Sequence, residues 1–335
     1  MIYYRPVVMT DVHLPKTAQT LAGGWCWFTH AERIERGQHG QLVAAADIPA
    51  KALSRLTSPR APIAGMTMDA PRIMGILNVT PDSFSDGGRF NAPDAAVAQA
   101  RQMVADGVDI IDIGGESTRP GAVTVDIEDE IARTAPVIAA LAAQGAAPIS
   151  IDTRKSAVAQ AAMQAGAAII NDVAAMTYDP DIAHVAAAAT APICLMHAQG
   201  DPKTMQDAPH YDDVVLDVYD FLSARVAAAE AAGIRRDQII VDPGIGFGKT
   251  LAHNLRLLQN LSIFHGLGCA VLLGASRKRF IGTIGNAPEA QDRMPGSVAI
   301  ALHGIRQGMQ ILRVHDIPQT YQARAIFRRL LEDDD

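Results

Sequence analysis

Short apolar runs alternate with longer Ala-rich stretches from Arg72 to the end of the chain. The runs are Ile73–Val79, Ile110–Gly114, Ile149–Asp152, Ile169–Val173, Ile193–His197, Ile239–Asp242, Ala270–Gly274 and Ile311–His315, each bounded by Gly-, Asp- or Pro-containing loops. Near-continuous hydrophobicity over so few residues is how strands buried on both faces read. The intervening stretches Ala95–Ala105, Ile127–Ala143, Ser156–Ala165, Ile182–Ala189, Val214–Ala232, Leu251–Leu261 and Ser297–Gln307 favour helix by their Ala, Leu, Gln and Arg content. A last helix is predicted from about Tyr321 to Leu331.

Eight strand-then-helix units over about 260 residues predict an α/β protein of the closed (β/α)8 TIM-barrel type. An open doubly wound sheet is the competing architecture. Against it stand the missing G-x-G-x-x-G after the first strand and the gathering of polar residues at the C-terminal ends of nearly all the strands. In a barrel those ends share one pocket. Residues 1–60 differ in kind: GGWCWFTH holds both tryptophans, and RPVV, LPK, IPAK and SPRAP around it are rich in chain breakers. They read as an irregular N-terminal extension packing on the barrel, which takes residues 61–335.

Composition agrees with this and narrows the partners. Of 335 residues, 49% are hydrophobic and 19% charged, which excludes a disordered or fibrous chain; aromatics are only 5%, so the core must be mostly Ala, Val, Ile and Leu. A net charge of -7 argues against holding nucleic acid or anionic lipid by bulk electrostatics, so any phosphate is gripped locally. Cys26, Cys194 and Cys269 are odd in number and far apart, with no C-x-x-C pair, which suits a reducing compartment. No apolar run reaches the roughly 18 residues of a membrane span. The N-terminus lacks the basic-then-apolar order of a signal peptide. The expectation is a cytoplasmic protein with neither nucleic acid nor membrane as partner.

The polar residues at the strand ends are Asn78, Asp112, Glu116, Thr118, Arg119, Asp152, Asn171, Asp172, His197, Asp242, Lys249, Ser276, Arg277, Lys278, Arg313, His315 and Asp316. Any single one is most simply a helix cap or a loop hydrogen bond. Polar groups at all the strand ends together point to a site. They sort by charge into two groups. Arg119, Arg313 and His315, with Asn78 and Thr118, come from the first, second and eighth strand ends, neighbours in a closed barrel, and suit a di- or polyphosphate. Asp152, Asn171, Asp242 and Lys278 alternate donors and acceptors and suit a flat, amide-rich heterocycle. The loops TPDSFSDGGRF and ESTRPG are expected to close over this pocket. A diphosphate usually travels with Mg²⁺, and a magnesium ion that keeps its waters needs only one or two protein ligands. GFGKT is not a phosphate loop, because the first Gly of that pattern would fall on Pro243. His197 reads as a hydrogen-bonded histidine lining the pocket.

The segments ILNVTPDSFSDGG (Ile76–Gly88), IDIGGESTRPG (Ile111–Gly121), SIDTRK (Ser150–Lys155), INDV (Ile170–Val173), LMHAQGDPKTMQ (Leu195–Gln206), VDPGIGFGKT (Val241–Thr250), GASRKRFIG (Gly274–Gly282) and RVHDI (Arg313–Ile317) closely resemble the dihydropteroate synthase family of pterin-binding barrels. The match runs in order through every strand end. The resemblance implies an enzyme joining 6-hydroxymethyl-7,8-dihydropterin diphosphate to 4-aminobenzoate in folate biosynthesis, giving dihydropteroate and pyrophosphate, and working as a homodimer. By similarity Asp152, Asn171, Asp242, Lys278 and Arg313 bind the pterin, and Asp152, Lys278 and Arg313 carry the catalysis. Thr118, Arg119, Arg313 and His315 hold the diphosphate, and Asn78 is the ligand linked to Mg²⁺. Phe84, Pro120, Phe247 and Ser276 form the aminobenzoate pocket, and residues around Gly65–Asp69 resemble a hairpin that plugs the barrel bottom.

Two other readings share parts of this pattern. A pterin-binding methyltransferase acting on a corrinoid protein would use the same Asn and Asp contacts. It has no use for the SRK, RVHD and NVTPDSFSDGG segments that serve a leaving pyrophosphate. An inert barrel kept as a scaffold would be expected to have lost one of Asp152, Lys278 or Arg313, and all three are present.

Overall fold

A computed structural model of the chain describes residues 1–80, 92–117, 123–145, 147–200 and 204–332. After an N-terminal layer, eight strands close into one parallel barrel: β6 (Arg72–Asn78), β7 (Ile110–Gly114), β8 (Ile149–Asp152), β9 (Ile169–Asp172), β10 (Ile193–Met196), β11 (Ile239–Asp242), β12 (Ala270–Leu273) and β13 (Ile311–Val314), with β13 returning to pair with β6. Helices α2 (Ala92–Ala105), α3 (Ile127–Ala142), α4 (Ser156–Ala165), α5 (Ile182–Ala189), α6 (Val214–Ala231), α7 (Leu251–Gln259), α8 (Arg279–Gly285), α9 (Met294–Arg306) and α10 (Ile317–Arg329) follow the strands. The fold is the (β/α)8 barrel that the apolar periodicity predicts.

Element boundaries differ where a polar residue or a proline was decisive. Several strands stop one residue short of the apolar run: Val79, Val173 and His197 lie just past the strand ends, although the Val79 and His197 N–H groups still donate to the Gly114 and Asp242 carbonyls at 2.9 and 3.0 Å. The short α8 follows the SRK segment and has no counterpart in the sequence reading. The last helix begins at Ile317, not Tyr321, since Pro318 sits in the first turn, where a missing N–H costs nothing.

The core has two parts because successive side chains on a strand face opposite ways. Ile73, Leu77, Ile111, Ile113, Ile151, Ile170, Leu195, Val241 and Leu273 face the helices and join the large outer core. Met74, Ile110, Ile169, Cys194, Ile240, Leu272 and Ile311 face inward and form a separate cluster inside the barrel. Ile63 and Met68, both almost fully buried, complete that inner cluster from below, and Ile63 bridges Met66 in a tight antiparallel turn. The hairpin expected around Gly65–Asp69 therefore does close the barrel bottom.

The extension carries more regular structure than its breakers suggest. Strands β1 (Ile2–Pro6), β4 (His30–Glu35) and β5 (Gln41–Ala44) form an antiparallel sheet in the order β1-β4-β5; β2 (Gln19–Thr20) pairs β3 (Trp27–Phe28), and α1 spans Ala50–Thr57. The term irregular is thus corrected: these strands are too short and too polar for a period of two to show in sequence. A small cluster of its own, including Leu21, Cys26, Phe28, Ile48 and Leu56, fills this layer.

Specific bonds tie the layer to the barrel. Trp25 Nε1 donates to the Ile305 carbonyl at 2.8 Å, Ser262 Oγ to the Pro6 carbonyl at 2.8 Å, and Arg60 Nη2 to the His265 carbonyl at 3.0 Å. Tyr3 Oη donates to Asp220 at 2.9 Å, and its ring meets Tyr219 edge-on at 5.2 Å. Arg36 bridges Asp217 and Asp220, each at 2.7 Å. All these partners lie on α6, α9 or the turn Leu261–Leu267, away from the C-terminal strand ends. Deleting residues 1–59 is therefore expected to lower the thermal midpoint by several degrees while kcat changes by less than about threefold. A folded truncation without turnover would contradict this.

Candidate active site

The site is the next inward layer above the apolar plug. Two residues beyond inward-facing Ile110, Ile169, Ile240 and Ile311 stand Asp112, Asn171, Asp242 and Arg313, and two beyond Ser150 stands Asp152. The period-two rule thus turns polar residues of five strands into one ring. Register aligns part of it in a row: Asn78 pairs Gly114, Gly114 pairs Asp152, and Asp152 pairs Asn171. Gly114 leaves room in that row, for a Cβ there would lie 3.6 Å from Asp152 Oδ2 and 3.7 Å from Asn78 Oδ1.

Arg313 is the centre of the ring. Its Nε donates to Asp112 Oδ2 at 2.6 Å and its Nη2 to Asp152 Oδ2 at 2.7 Å. Asn171 Nδ2 also reaches Asp112 Oδ2, at 3.2 Å. Burial opposes the guanidinium charge, but Asp112 and Asp152 outweigh it and hold the Arg313 pKa above its usual value. Burial pushes Asp152 up, against Arg313 and with the help of neighbouring Asp112, Glu130 and Asp172. Asp242 is raised to about 6, again chiefly by burial, although the Gly244 N–H donates to its Oδ1 at 2.7 Å.

Two acceptors in the ring are unspent. Oδ1 of Asp112 and Oδ1 of Asp152 are buried and accept no hydrogen bond among the described residues. Each such atom costs on the order of 1–3 kcal/mol in a folded protein. Functional sites are where costs of this kind persist.

Around the ring, Lys278 Nζ lies 3.9 Å from the centroid of the Phe247 ring. Ser276 Oγ is 3.0 Å from His315 Nδ1 and accepts the His315 backbone N–H at 3.2 Å. Arg277, with a left-handed φ of 56°, turns away and pairs with Asp316 through Nε at 3.1 Å. Arg277 and Asp316 therefore brace the loop and leave Lys278 to the pocket side.

The structure brings together Asn78, Asp152, Asn171, Asp242, Ser276, Lys278, Arg313, His315 and Phe247. Both described contacts of Arg313 are carboxylates of the ring. Asp112 is the residue that sequence reasoning left without a role. It is fully buried on Arg313, and its inward phase two residues after Ile110 was the signal that could have found it. Asp172 has the opposite phase and caps its own loop, accepting from the Ala174 N–H at 2.8 Å and from the Met176 N–H. His197 is likewise out of phase, nearly buried, and meets the Phe221 ring edge-on at 4.8 Å. Phe84, Thr118, Arg119 and Pro120 lie outside the described residues.

Glu116 has a structural part. It accepts from Arg154 Nε at 3.0 Å, Lys155 Nζ at 2.7 Å and the Val125 N–H at 2.8 Å. Lys155 Nζ also reaches Glu130 Oε2 at 2.5 Å and the Val125 carbonyl at 2.6 Å, and Thr153 Oγ1 donates to Glu130 at 2.7 Å. Burial disfavours every charge here. Lys155 and the Val125 N–H nevertheless hold the Glu116 pKa below its usual value, while Glu116 and Glu130 hold that of Lys155 above. Lys155→Met would leave buried Glu130 without its described cation and Glu116 with Arg154 alone, and is expected to cost about 3–5 kcal/mol in urea unfolding. A loss under about 1 kcal/mol would mean that the network is not a support.

Comparison with known proteins agrees with this arrangement. A model of the pterin binding enzyme family matches residues 74–315. Dihydropteroate synthase of Synechocystis sp. is 49% identical over 245 residues, covering 73% of this chain and 85% of that protein. The structure of Xanthomonas albilineans dihydropteroate synthase with 4-aminobenzoic acid is 47% identical, with a TM-score of 0.77 over 83% of this chain and 100% of that one. The same enzyme in complex with 7,8-dihydropteroate gives 44% identity and a TM-score of 0.75, over 82% and 100%. The matches reach the barrel residues that build the ring, and on that ground the chain belongs to the pterin-binding enzyme family, among the dihydropteroate synthases.

Proposed function

We propose that the barrel condenses 6-hydroxymethyl-7,8-dihydropterin diphosphate with 4-aminobenzoate, forming 7,8-dihydropteroate and releasing pyrophosphate. The observation that carries this reading is the ring itself: two buried carboxylate oxygens that accept no hydrogen bond among the described residues, beside Asn171 and Asp242. A pterin offers ring and exocyclic N–H donors along one edge. Asp152, Asp242 and Asn171 accept or exchange those bonds, and Lys278 and Arg313 supply donors to its carbonyl edge.

Bond breaking puts positive charge on the pterin methylene as its C–O bond lengthens and the electron pair leaves with pyrophosphate. The Asp152 carboxylate stabilises that charge, a form of preorganised electrostatics that water would have to reorganise to match. Arg313 and His315, with Thr118 and Arg119, neutralise the departing diphosphate. The amine nitrogen of 4-aminobenzoate then attacks with its lone pair and gives up a proton. No protein nucleophile or general base is assigned. Phe247, Ser276, Phe84 and Pro120 form the aminobenzoate side.

Mg²⁺ fits this site in one way. No group of three or more His, Cys, Asp or Glu residues able to hold a metal occurs among the described residues. A magnesium ion bound mainly by water and phosphate oxygens needs less, and half-buried Asn78 offers its Oδ1 on the rim beside Asp152. When bound, the ion would add positive charge to the diphosphate. Among the described residues no helix is long and apolar enough to cross a membrane. A cytoplasmic homodimer completes the proposal, with sedimentation of the purified protein reporting its mass.

The direct test supplies purified protein with the pterin diphosphate, labelled 4-aminobenzoate and Mg²⁺. Labelled dihydropteroate with equimolar pyrophosphate is expected. No product, or methyl transfer only when a corrinoid protein is added, overturns the reading.

A further inference from the structure

Lys249 is almost fully buried beside the ring, yet the chemistry above does not use it. Its Nζ lies 2.8 Å from the Gly244 carbonyl, 2.9 Å from the Phe247 carbonyl and 2.9 Å from His197 Nδ1. An ammonium has three N–H donors, and here each meets an acceptor. With Lys249 as the ammonium, Nδ1 of His197 is the acceptor of this pair. Burial and the Lys249 charge hold the His197 pKa well below its usual value, so the ring stays neutral and can accept. Burial pulls Lys249 down to about 7, against the attraction of Asp242.

The turn that Lys249 holds admits few alternatives. Gly244 has a φ of +66°, and a Cβ on it would lie 1.8 Å from the His197 carbonyl oxygen. The Phe247 N–H closes the turn onto the Gly244 carbonyl at 3.2 Å, and the Gly246 N–H donates to Asn254 Oδ1 at 2.7 Å. Thr250 then caps α7 with a side-chain bond to the His253 N–H at 3.2 Å. The side chain that emerges from this turn is Phe247, stacked under the Lys278 ammonium.

We infer that Lys249 is a positioning residue for the arylamine substrate, its ammonium binding the Gly244–Phe247 turn to His197 and thereby setting the Phe247 ring against Lys278. This rests on the proposal that Phe247 lines the 4-aminobenzoate pocket. Lys249 touches no reacting atom, so its effect must pass through Phe247.

The test is a double-mutant cycle in steady-state kinetics. Lys249→Met is expected to raise KM for 4-aminobenzoate about tenfold while KM for the pterin diphosphate moves less than about threefold. In a Phe247→Leu background the same substitution should add less than about threefold, because the two act as one unit. Equal rises in both KM values, or full additivity with Phe247→Leu, would overturn the inference. If Lys249→Met does not fold, His197→Leu, which removes the imidazole and spares the carbonyl contacts, takes its place. A rise of about threefold with the same non-additivity is then expected, and an unchanged KM overturns the inference. A wild-type protein that forms no dihydropteroate overturns the proposed function instead, and is told apart by that result alone.

Discussion

Replacing Arg313 by Met is expected to lower turnover by on the order of 10²–10³ or more, and to destabilise the protein as well. The two losses have one cause. Arg313 stands between fully buried Asp112 and almost fully buried Asp152, at 2.6 and 2.7 Å, so its removal leaves two buried carboxylates close together. Breaking a buried pair in this way costs about 3–5 kcal/mol. The penalty has a sign with pH. Without the guanidinium the Asp152 carboxyl, already raised by burial, loses the contact that opposes that shift, so its folded pKa rises further above the unfolded value. A group shifted up in this way is best tolerated below its unfolded pKa and costs most once the pH has passed its folded one. Urea unfolding should thus show a larger deficit at pH 8 than at pH 5. A deficit that grows as the pH falls, or a variant with full activity, would remove Arg313 from the centre of the site.

Asp152→Asn is expected to lose turnover on the same scale, on the order of 10²–10³, but to keep or gain stability. Its Oδ1 accepts no hydrogen bond among the described residues, and burial with nearby Asp112, Glu130 and Asp172 raises its pKa despite Arg313. The folded protein therefore disfavours the Asp152 charge, a cost matched by the role proposed for it against the cationic methylene. An amide of the same shape removes that cost while leaving Arg313 paired with Asp112. The gain should be near zero in acid and grow to about 1 kcal/mol as the pH rises and the wild-type carboxyl ionises. Adding Asp152→Asn to Arg313→Met should also recover part of the lost stability, since only Asp112 then remains stranded. A variant as unstable as Arg313→Met would show Asp152 to be a support for the fold.

The barrel was legible because its information is local and repeated. Strands buried on both faces read as short runs of Ile and Val, and the Ala-rich stretches between them read as helix. The plug needed only the resemblance around Gly65–Asp69. Less was visible where order depends on distant partners. The antiparallel sheet of the extension is built from strands of a few residues, and only the surface offered by α6, α9 and the turn Leu261–Leu267 gives it a place to rest.

For the site, the sequence alone determined which residue types stand at the strand ends, and through its ordered segments which chemistry they resemble. It could not decide which of them face inward together. That depends on strand phase and register, which set Asp112, Asp152, Asn171, Asp242 and Arg313 on one ring and turn Asp172 and His197 away. Nor could it show that Arg313 is held by two carboxylates, or that Lys249 is spent on three carbonyls and an imidazole. Charge in a sequence is a property of single residues. Its meaning in the folded chain depends on burial and on distant partners, 201 positions apart for Arg313 and Asp112, and only closure of the barrel brings these together.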